Sequence, residues 1–290
     1  MTLRQWLEQA GHALQGTEAP RRAAELLLCS VLNITRVALM THPERELPPD
    51  AGERLAGLLK RRLAGEPVAY LLGRREFYGR SFDVDPSTLI PRPESECLVD
   101  EALARLPERA VHFADLGTGS GCLAVTLAAE RPLWRGVAVD ISEHALHMAR
   151  RNAERLGAAD RLTFVLADFT LPAFLPDFPP DSPDANHAGL DLVISNPPYV
   201  SEAEYAALDP GVRDYEPKTA LLSGPAGLEH ARAVVELAWR ILRPGGLVLM
   251  EHGAAQGEAA RALCAPRRWR EVRTLRDLAG LDRCLAAIHR

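Results

Sequence analysis

Residues 115–121 read Asp115-Leu116-Gly117-Thr118-Gly119-Ser120-Gly121. An apolar run, Val111–Asp115, precedes them, and a helical pattern, Leu123–Glu130, follows. Glycines at a strand-to-helix junction let the backbone turn tightly and come close to a ligand. The same alternation continues outward. Strands are predicted at Val111–Asp115, Val137–Asp140, Leu162–Ala167, Leu190–Ser195 and Leu247–Glu251. Helices are predicted at Leu123–Glu130, Ala145–Leu156 and Gly227–Leu242. Strands alternating with helices imply an α/β fold, a doubly wound and mostly parallel sheet covered on both faces. Ligands of such sheets bind beyond the carboxyl ends of the strands, near the switch in strand order.

The first third of the chain reads differently. Pro20 suits the first turn of a helix, and Ala23, Ala24, Leu27, Leu28, Val31 and Leu32 recur at helical spacing. Asp50 with Glu53 reads as a capping box before Leu55, Leu58, Leu59 and Leu63. Gly65 and Pro67 stop that helix. A small N-terminal helical bundle is predicted, with the domain spanning residues 1–74. Residues 75–95 read as a β-hairpin, Glu76–Val84, and a Pro-rich linker; residues 96–290 form the α/β domain. The segment Leu171–Gly189, rich in Pro and Asp and without periodicity, reads as an exposed, mobile loop.

The chain has 290 residues and a formal net charge of −5. That balance argues against a protein built to grip duplex nucleic acid. Five cysteines, widely spaced and without a C-x-x-C, argue against a disulfide framework or a zinc site and for a reducing cytoplasm. The amphipathic N-terminus lacks the features of a signal peptide, and no apolar run is long enough to span a bilayer.

The predicted strand ends carry the chemistry. The glycine turn alone suits a dinucleotide, a flavin or S-adenosylmethionine. Asp140 ends the second strand, roughly 20 residues beyond the glycines, where an acid can bond ribose hydroxyls; with Ser142 it could instead cap the next helix. Asp168 and Phe169 end the third strand. They can bond an adenine amine and cover its ring, or be a loop acid and a core ring. The fourth strand ends in Ser195-Asn196-Pro197-Pro198-Tyr199-Val200, which a nicotinamide enzyme would not explain. A conjugated amide or amino nitrogen is a poor nucleophile because its lone pair is delocalised. The Asn196 side-chain oxygen and the Pro197 carbonyl can accept its two hydrogens, turning the lone pair toward an electrophile. Prolines 197 and 198 preset that geometry, and Tyr199 can pack on a planar group. The sulfonium methyl of S-adenosylmethionine is the matching electrophile, with no metal required.

With Leu89–Glu96 (LIPRPESE), Asp115–Cys122 (DLGTGSGC), Asp191–Tyr199 (DLVISNPPY), Tyr215–Leu228 (YEPKTALLSGPAGL), Met250–Gln256 (MEHGAAQ) and Asp277–Arg283 (DLAGLDR), nearly the whole chain resembles the HemK/PrmC family of protein-(glutamine) N5-methyltransferases. The resemblance implies a helical domain that docks the protein substrate, a hairpin linker and a Rossmann-like catalytic domain. It implies that the substrate is the glutamine of the Gly-Gly-Gln motif in bacterial peptide chain release factors. It further implies that Gly117, Thr118, Gly119, Ser120, Gly121, Asp140, Phe169 and Asn196 contact S-adenosylmethionine, and that Asn196, Pro197, Pro198 and Tyr199 hold the glutamine amide. Phe169 stands where close relatives often carry tryptophan. Arg92 and Glu94 stand beside the site or form a salt-bridged linker; Glu251, at the end of the fifth strand, faces the site or serves as a structural hydrogen-bonding group, and His252 reads as structural. A monomer in the cytoplasm is expected, with no direct nucleic-acid or membrane binding. Competing readings are a ribosomal-protein glutamine methyltransferase, a DNA adenine methyltransferase and a non-catalytic sensor of S-adenosylmethionine. The Arg92–Glu96 run weighs against the first of these, the absence of a basic recognition region against the second, and the amide clamp against the third.

Overall fold

The computed structural model describes residues 1–171 and 189–290; the segment read as a loop lies, but for its end residues Leu171 and Gly189, outside the described residues. The chain forms two compact units, Met1–Arg74 with Asp209–Tyr215, and Arg75–Leu208 with Glu216–Arg290.

The first unit holds α1 (Leu3–Ala13), α2 (Pro20–Leu32), α3 (Arg36–Thr41), α4 (Pro49–Leu63) and α5 (Val68–Leu72). The helical spacing buries Leu3, Trp6 and Ala10 of α1 with Ala23, Ala24, Leu27 and Leu28 of α2 and Leu55 of α4. The capping box falls elsewhere than Asp50–Glu53. Thr2 and Gln5 make one at the start of α1, whereas α4 starts at Pro49 with no side-chain cap. Tandem prolines at 48 and 49 set the helical φ, so Asp50 already lies inside the first turn. The segment Asp209–Tyr215 also belongs here: Tyr215 Oη donates to the Ala64 carbonyl at 2.9 Å.

In the second unit, β1 (Arg74–Phe77) and β2 (Arg80–Asp83) form the expected hairpin. Tyr78 and Gly79 both take positive φ, 51° and 69°, the requirement of a two-residue turn whose twist matches the strands. Phe77 and Phe82 pack edge to face and enter the same core as Leu98, Val99 and Trp134. The hairpin is therefore part of this unit's core rather than a separate linker.

The strands that follow are β3 (His112–Leu116), β4 (Arg135–Asp140), β5 (Leu162–Leu166), β6 (Leu190–Ser195), β7 (Leu242–Glu251), β8 (Trp269–Arg276) and β9 (Asp282–His289). Their order is β5-β4-β3-β6-β7-β9-β8. The first five are parallel; β9 and β8 add antiparallel. Helices α6 (Glu96–Arg105), α7 (Cys122–Glu130), α8 (Glu143–Arg155), α9 (Glu202–Ala207), α11 (Lys218–Leu221), α12 (Glu229–Ile241) and α13 (Gly257–Ala262) complete this unit, while α10 (Pro210–Arg213) falls in the first. The five predicted strands form within a few residues of their expected ends; the β8–β9 hairpin was not foreseen. In β9 the run Cys284-Leu285-Ala286-Ala287 has little strand propensity; its place between β7 and β8 decides its conformation. On the edge, β8 carries Arg270, Glu271, Arg273 and Arg276, charges that discourage further pairing.

The fold also brings one cysteine pair together. Cys97 of α6 and Cys284 of β9 lie side by side, while Cys29, Cys122 and Cys264 stand apart from any other cysteine. The partners lie 187 residues apart, so no local spacing could signal their meeting.

Candidate active site

The chain runs outward from β3 to β4 and β5, then returns to lay β6 on the other side of β3. This switch point places the carboxyl ends of β3 and β6 side by side, with Leu116 opposite Ser195. The Ser195 hydroxyl donates to the Leu116 carbonyl at 2.6 Å and ties the two ends together. The glycine turn and the Asn-Pro-Pro-Tyr turn thus open onto one cleft, the position expected for a ligand site.

The glycine turn is braced from three sides. Asp115 is fully buried, and one of its oxygens accepts from Thr118 Oγ1 at 2.7 Å and from the Ala124 amide at 3.2 Å. Burial pushes its carboxyl up to about 7. Asp140 accepts from the Gly119 amide at 2.9 Å through one oxygen and from the Ser142 amide at 2.9 Å through the other. Ser142, not Asp140, caps α8 by accepting from the Ala145 amide. Each Asp140 oxygen keeps a second lone pair, and burial raises its carboxyl above the usual range. Gly121, at φ +81°, allows α8 to approach: a Cβ there would meet Ala149 Cβ at 3.1 Å.

The cleft is lined by Gly117, Thr118, Gly119, Ser120, Asp140, Asp168, Phe169, Asn196 and Pro198, and also by Arg92, Ser95, Ile141 and His230. Asp168 accepts from the Thr170 amide and hydroxyl in a local turn. Phe169 joins the core around Leu116 and Val139 while still facing the cleft. Its ring meets His230 edge-on, and burial lowers the His230 pKa.

At the end of β6, Asn196 Nδ2 donates to Ser95 Oγ at 3.0 Å. Asn196 Oδ1 is buried and has no hydrogen-bond partner among the described residues. Ser95 in turn bonds the Glu251 carboxylate, and Tyr199 Oη donates to the other Glu251 oxygen at 3.4 Å. Glu251 is 1% exposed, and burial pushes its carboxyl up to about 7. Burial together with the Glu251 charge raises the Tyr199 phenol. Tyr199 therefore turns its hydroxyl to Glu251, and neither it nor the buried Pro197 is among the cleft-lining side chains, although both were expected at the amide site.

Several supports were not foreseen. Gln256 Nε2 donates to the Tyr199 and Gly227 carbonyls at 2.9 and 3.1 Å. Gly227, at φ +72°, lets the chain pass there; a Cβ would lie 2.6 Å from the Tyr199 carbonyl oxygen. Asn152 is fully buried. It donates to the Ser120 carbonyl at 2.9 Å and exchanges two bonds with the Asp83 backbone. The signal was available: an asparagine on the apolar face of α8 demands partners. Arg92 pairs with Glu216 at 2.5 Å, and Glu216 also accepts from the Ile90 amide; the residue both forms a salt bridge and lines the cleft. Among the described residues, no group of three or more His, Cys, Asp or Glu side chains is placed to hold a metal ion.

The fold is similar to that of a crystal structure of a methyltransferase from Pyrococcus furiosus, with a TM-score of 0.51 and 17% identity, over 80% of this chain and 98% of that one. The Methyltransferase domain family matches residues 107–280. Fold and strand-end cleft together define a Rossmann-like methyltransferase. Residues 5–73 match the PrmC N-terminal domain. The release factor glutamine methyltransferase of Nitratidesulfovibrio vulgaris is 46% identical over 290 residues, covering 99% of this chain and 95% of the relative. Those of Salmonella typhimurium and Escherichia coli K12 are 40% and 38% identical over 283 residues, each covering 98% of this chain and 97% of the relative. The chain belongs to the release factor glutamine methyltransferase family.

Proposed function

We propose that this chain methylates the side-chain amide nitrogen of the glutamine in the Gly-Gly-Gln motif of peptide chain release factors, with S-adenosylmethionine as methyl donor. The observation that carries the proposal is Asn196 Oδ1, a buried acceptor without a partner at the mouth of β6. Such an atom costs free energy unless a ligand donor meets it, and an amide NH₂ is that donor. The donor molecule's shape and charge suit the cleft. Asp140 offers spare lone pairs to ribose hydroxyls, Phe169 and Ile141 offer apolar cover to a flat base, and the glycine turn admits close backbone approach. When bound, S-adenosylmethionine supplies an electrophilic methyl group on a sulfonium.

The remaining work falls to the chain. Asn196 Oδ1 accepts one amide hydrogen of the substrate and the Pro197 carbonyl accepts the other. Two acceptors hold the nitrogen and favour the positive charge that develops on it. The prolines fix these acceptors in advance, so little reorganisation remains. An alkylated amide nitrogen is strongly acidic and loses its proton to water, so no strong base is required. The helical unit, residues 1–74, docks the protein substrate, and the reaction takes place in the cytoplasm.

The test is incubation with isotopically labelled S-adenosylmethionine and purified release factor, followed by mass spectrometry. One labelled methyl on the motif glutamine is expected, and none on a release factor with that glutamine replaced by alanine. Label on a ribosomal protein or on adenine in DNA, with none on release factor, would overturn the reading.

A further inference from the structure

Glu251 closes β7 with its carboxylate fully enclosed, and Ser95 stands between it and Asn196. A buried carboxylate is costly and calls for a reason. The hydrogen-bond polarity supplies one. A serine hydroxyl carries a single proton. With that proton donated to Glu251 Oε2, Ser95 Oγ can only accept from its other neighbour. The end of the Asn196 amide that meets it must then be the NH₂ group, which sends the carbonyl oxygen into the cleft. With the amide turned over, two acceptors would face each other at 3.0 Å. Tyr199 Oη holds the second Glu251 oxygen, and Arg283 of β9, itself held by Asp277 at 3.1 Å, adds favourable charge nearby.

We propose that Glu251 and Ser95 are positioning residues for the methyl transfer: through Ser95, the Glu251 carboxylate fixes which end of the Asn196 amide faces the substrate. Neither residue acts on the substrate in this role; both act through Asn196. The inference rests on the reading that Asn196 Oδ1 accepts from the substrate amide. It also gives the Ser95 hydroxyl a purpose in the Pro-Glu-Ser-Glu run of residues 93–96, and it joins that run to Glu251, 156 residues away.

The experiment compares Ser95→Ala, Ser95→Thr and Glu251→Gln in steady-state methylation of release factor, with S-adenosylmethionine affinity and Tm measured in parallel. Ser95→Ala leaves the amide free to turn. Its kcat should fall roughly ten- to a hundredfold, the scale of losing orientation at a reacting group, with cofactor affinity within about twofold. Ser95→Thr keeps the hydroxyl and should recover most of that loss. Glu251→Gln can donate to Ser95 Oγ, which releases the serine proton toward Asn196 and favours the wrong face; its kcat should fall as far as that of Ser95→Ala. Wild-type kcat in Ser95→Ala would overturn the proposal, as would a Ser95→Thr enzyme of unchanged Tm that is as slow as Ser95→Ala. Failure of the underlying reading gives a different result: an Asn196→Ala enzyme that turns over normally, or a wild-type enzyme that leaves the glutamine unmodified.

Discussion

Asn196→Ala separates chemistry from binding and from folding. The substitution removes a buried side-chain acceptor that has no partner among the described residues. It also removes the 3.0 Å bond to Ser95, but Ser95 keeps Glu251, so no buried charge is orphaned. A neutral bond of this kind contributes about 1 kcal/mol to stability, and Tm should shift by a few degrees at most. Turnover should suffer far more. A preorganised polar contact that strengthens as charge develops contributes about 3–4 kcal/mol in the transition state, so kcat should fall by roughly two to three orders of magnitude. Affinity for S-adenosylmethionine, which the proposed site assigns chiefly to Asp140 and the glycine turn, should stay within a few-fold. Single-turnover transfer to release factor, with calorimetry for the methyl donor, reads both quantities. Asn196→Asp sharpens the test, since it sets two carboxylates on either side of one serine proton and should be no better than alanine. An Asn196→Ala enzyme within twofold of wild type would refute the amide clamp.

Asp140→Ala removes the brace on Gly119 and the spare lone pairs, and should weaken methyl-donor binding by about ten- to a hundredfold in calorimetry, the scale of a charge-assisted bond; unchanged affinity would make Asp140 a loop brace only. Because burial raises the Asp140 carboxyl and the bound form requires the carboxylate, affinity should fall on acidification from a higher pH than an ordinary aspartate would give. Asn152→Ala removes the bonds to the Asp83 amide and to the Asp83 and Ser120 carbonyls and should cost about 2–4 kcal/mol in urea unfolding. For Glu251, a folded-state pKa raised from 4.5 to about 7 means the native state binds the extra proton. Stability from this group is complete below pH 4.5 and is lost as pH rises through 7; Glu251→Gln should flatten that slope, and an unaltered slope would contradict the assignment. Hydrogen exchange of the complex with release factor should show protection within residues 1–74, and unchanged exchange there would remove the docking role.

Much of the cleft was legible because its groups sit at strand ends, where local signals are strong. A strand is a short apolar run, a glycine turn announces the junction, and the residue just past the strand faces the ligand side. Gly117, Thr118, Gly119, Ser120, Asp140, Asp168, Phe169, Asn196 and Pro198 line the cleft in keeping with that rule, whereas Gly121 packs against α8. Some local patterns had two solutions. Asp140 and Ser142 both suit a helix cap, and geometry gave the cap to Ser142. Asp50 and Glu53 match a capping box, but Pro48 and Pro49 begin the helix first. The Tyr199 hydroxyl bonds Glu251, a contact that no local pattern signals.

Residue order along the chain was enough to define the layered α/β fold, the helical N-terminal unit and the four strand ends that meet in one cleft, because each depends on periodicity and turn chemistry within about a dozen residues. What folding alone decided are contacts between distant residues. Asp209–Tyr215 joins the helical unit, Cys97 meets Cys284, Asn152 staples Asp83 to Ser120, and Ser95 joins Glu251 to Asn196. For Asn152 and Ser95 the physical reason is the same. A buried polar group needs a partner, but the sequence does not say which one; the sheet order decides which strand ends lie close enough for a single serine proton to orient an asparagine.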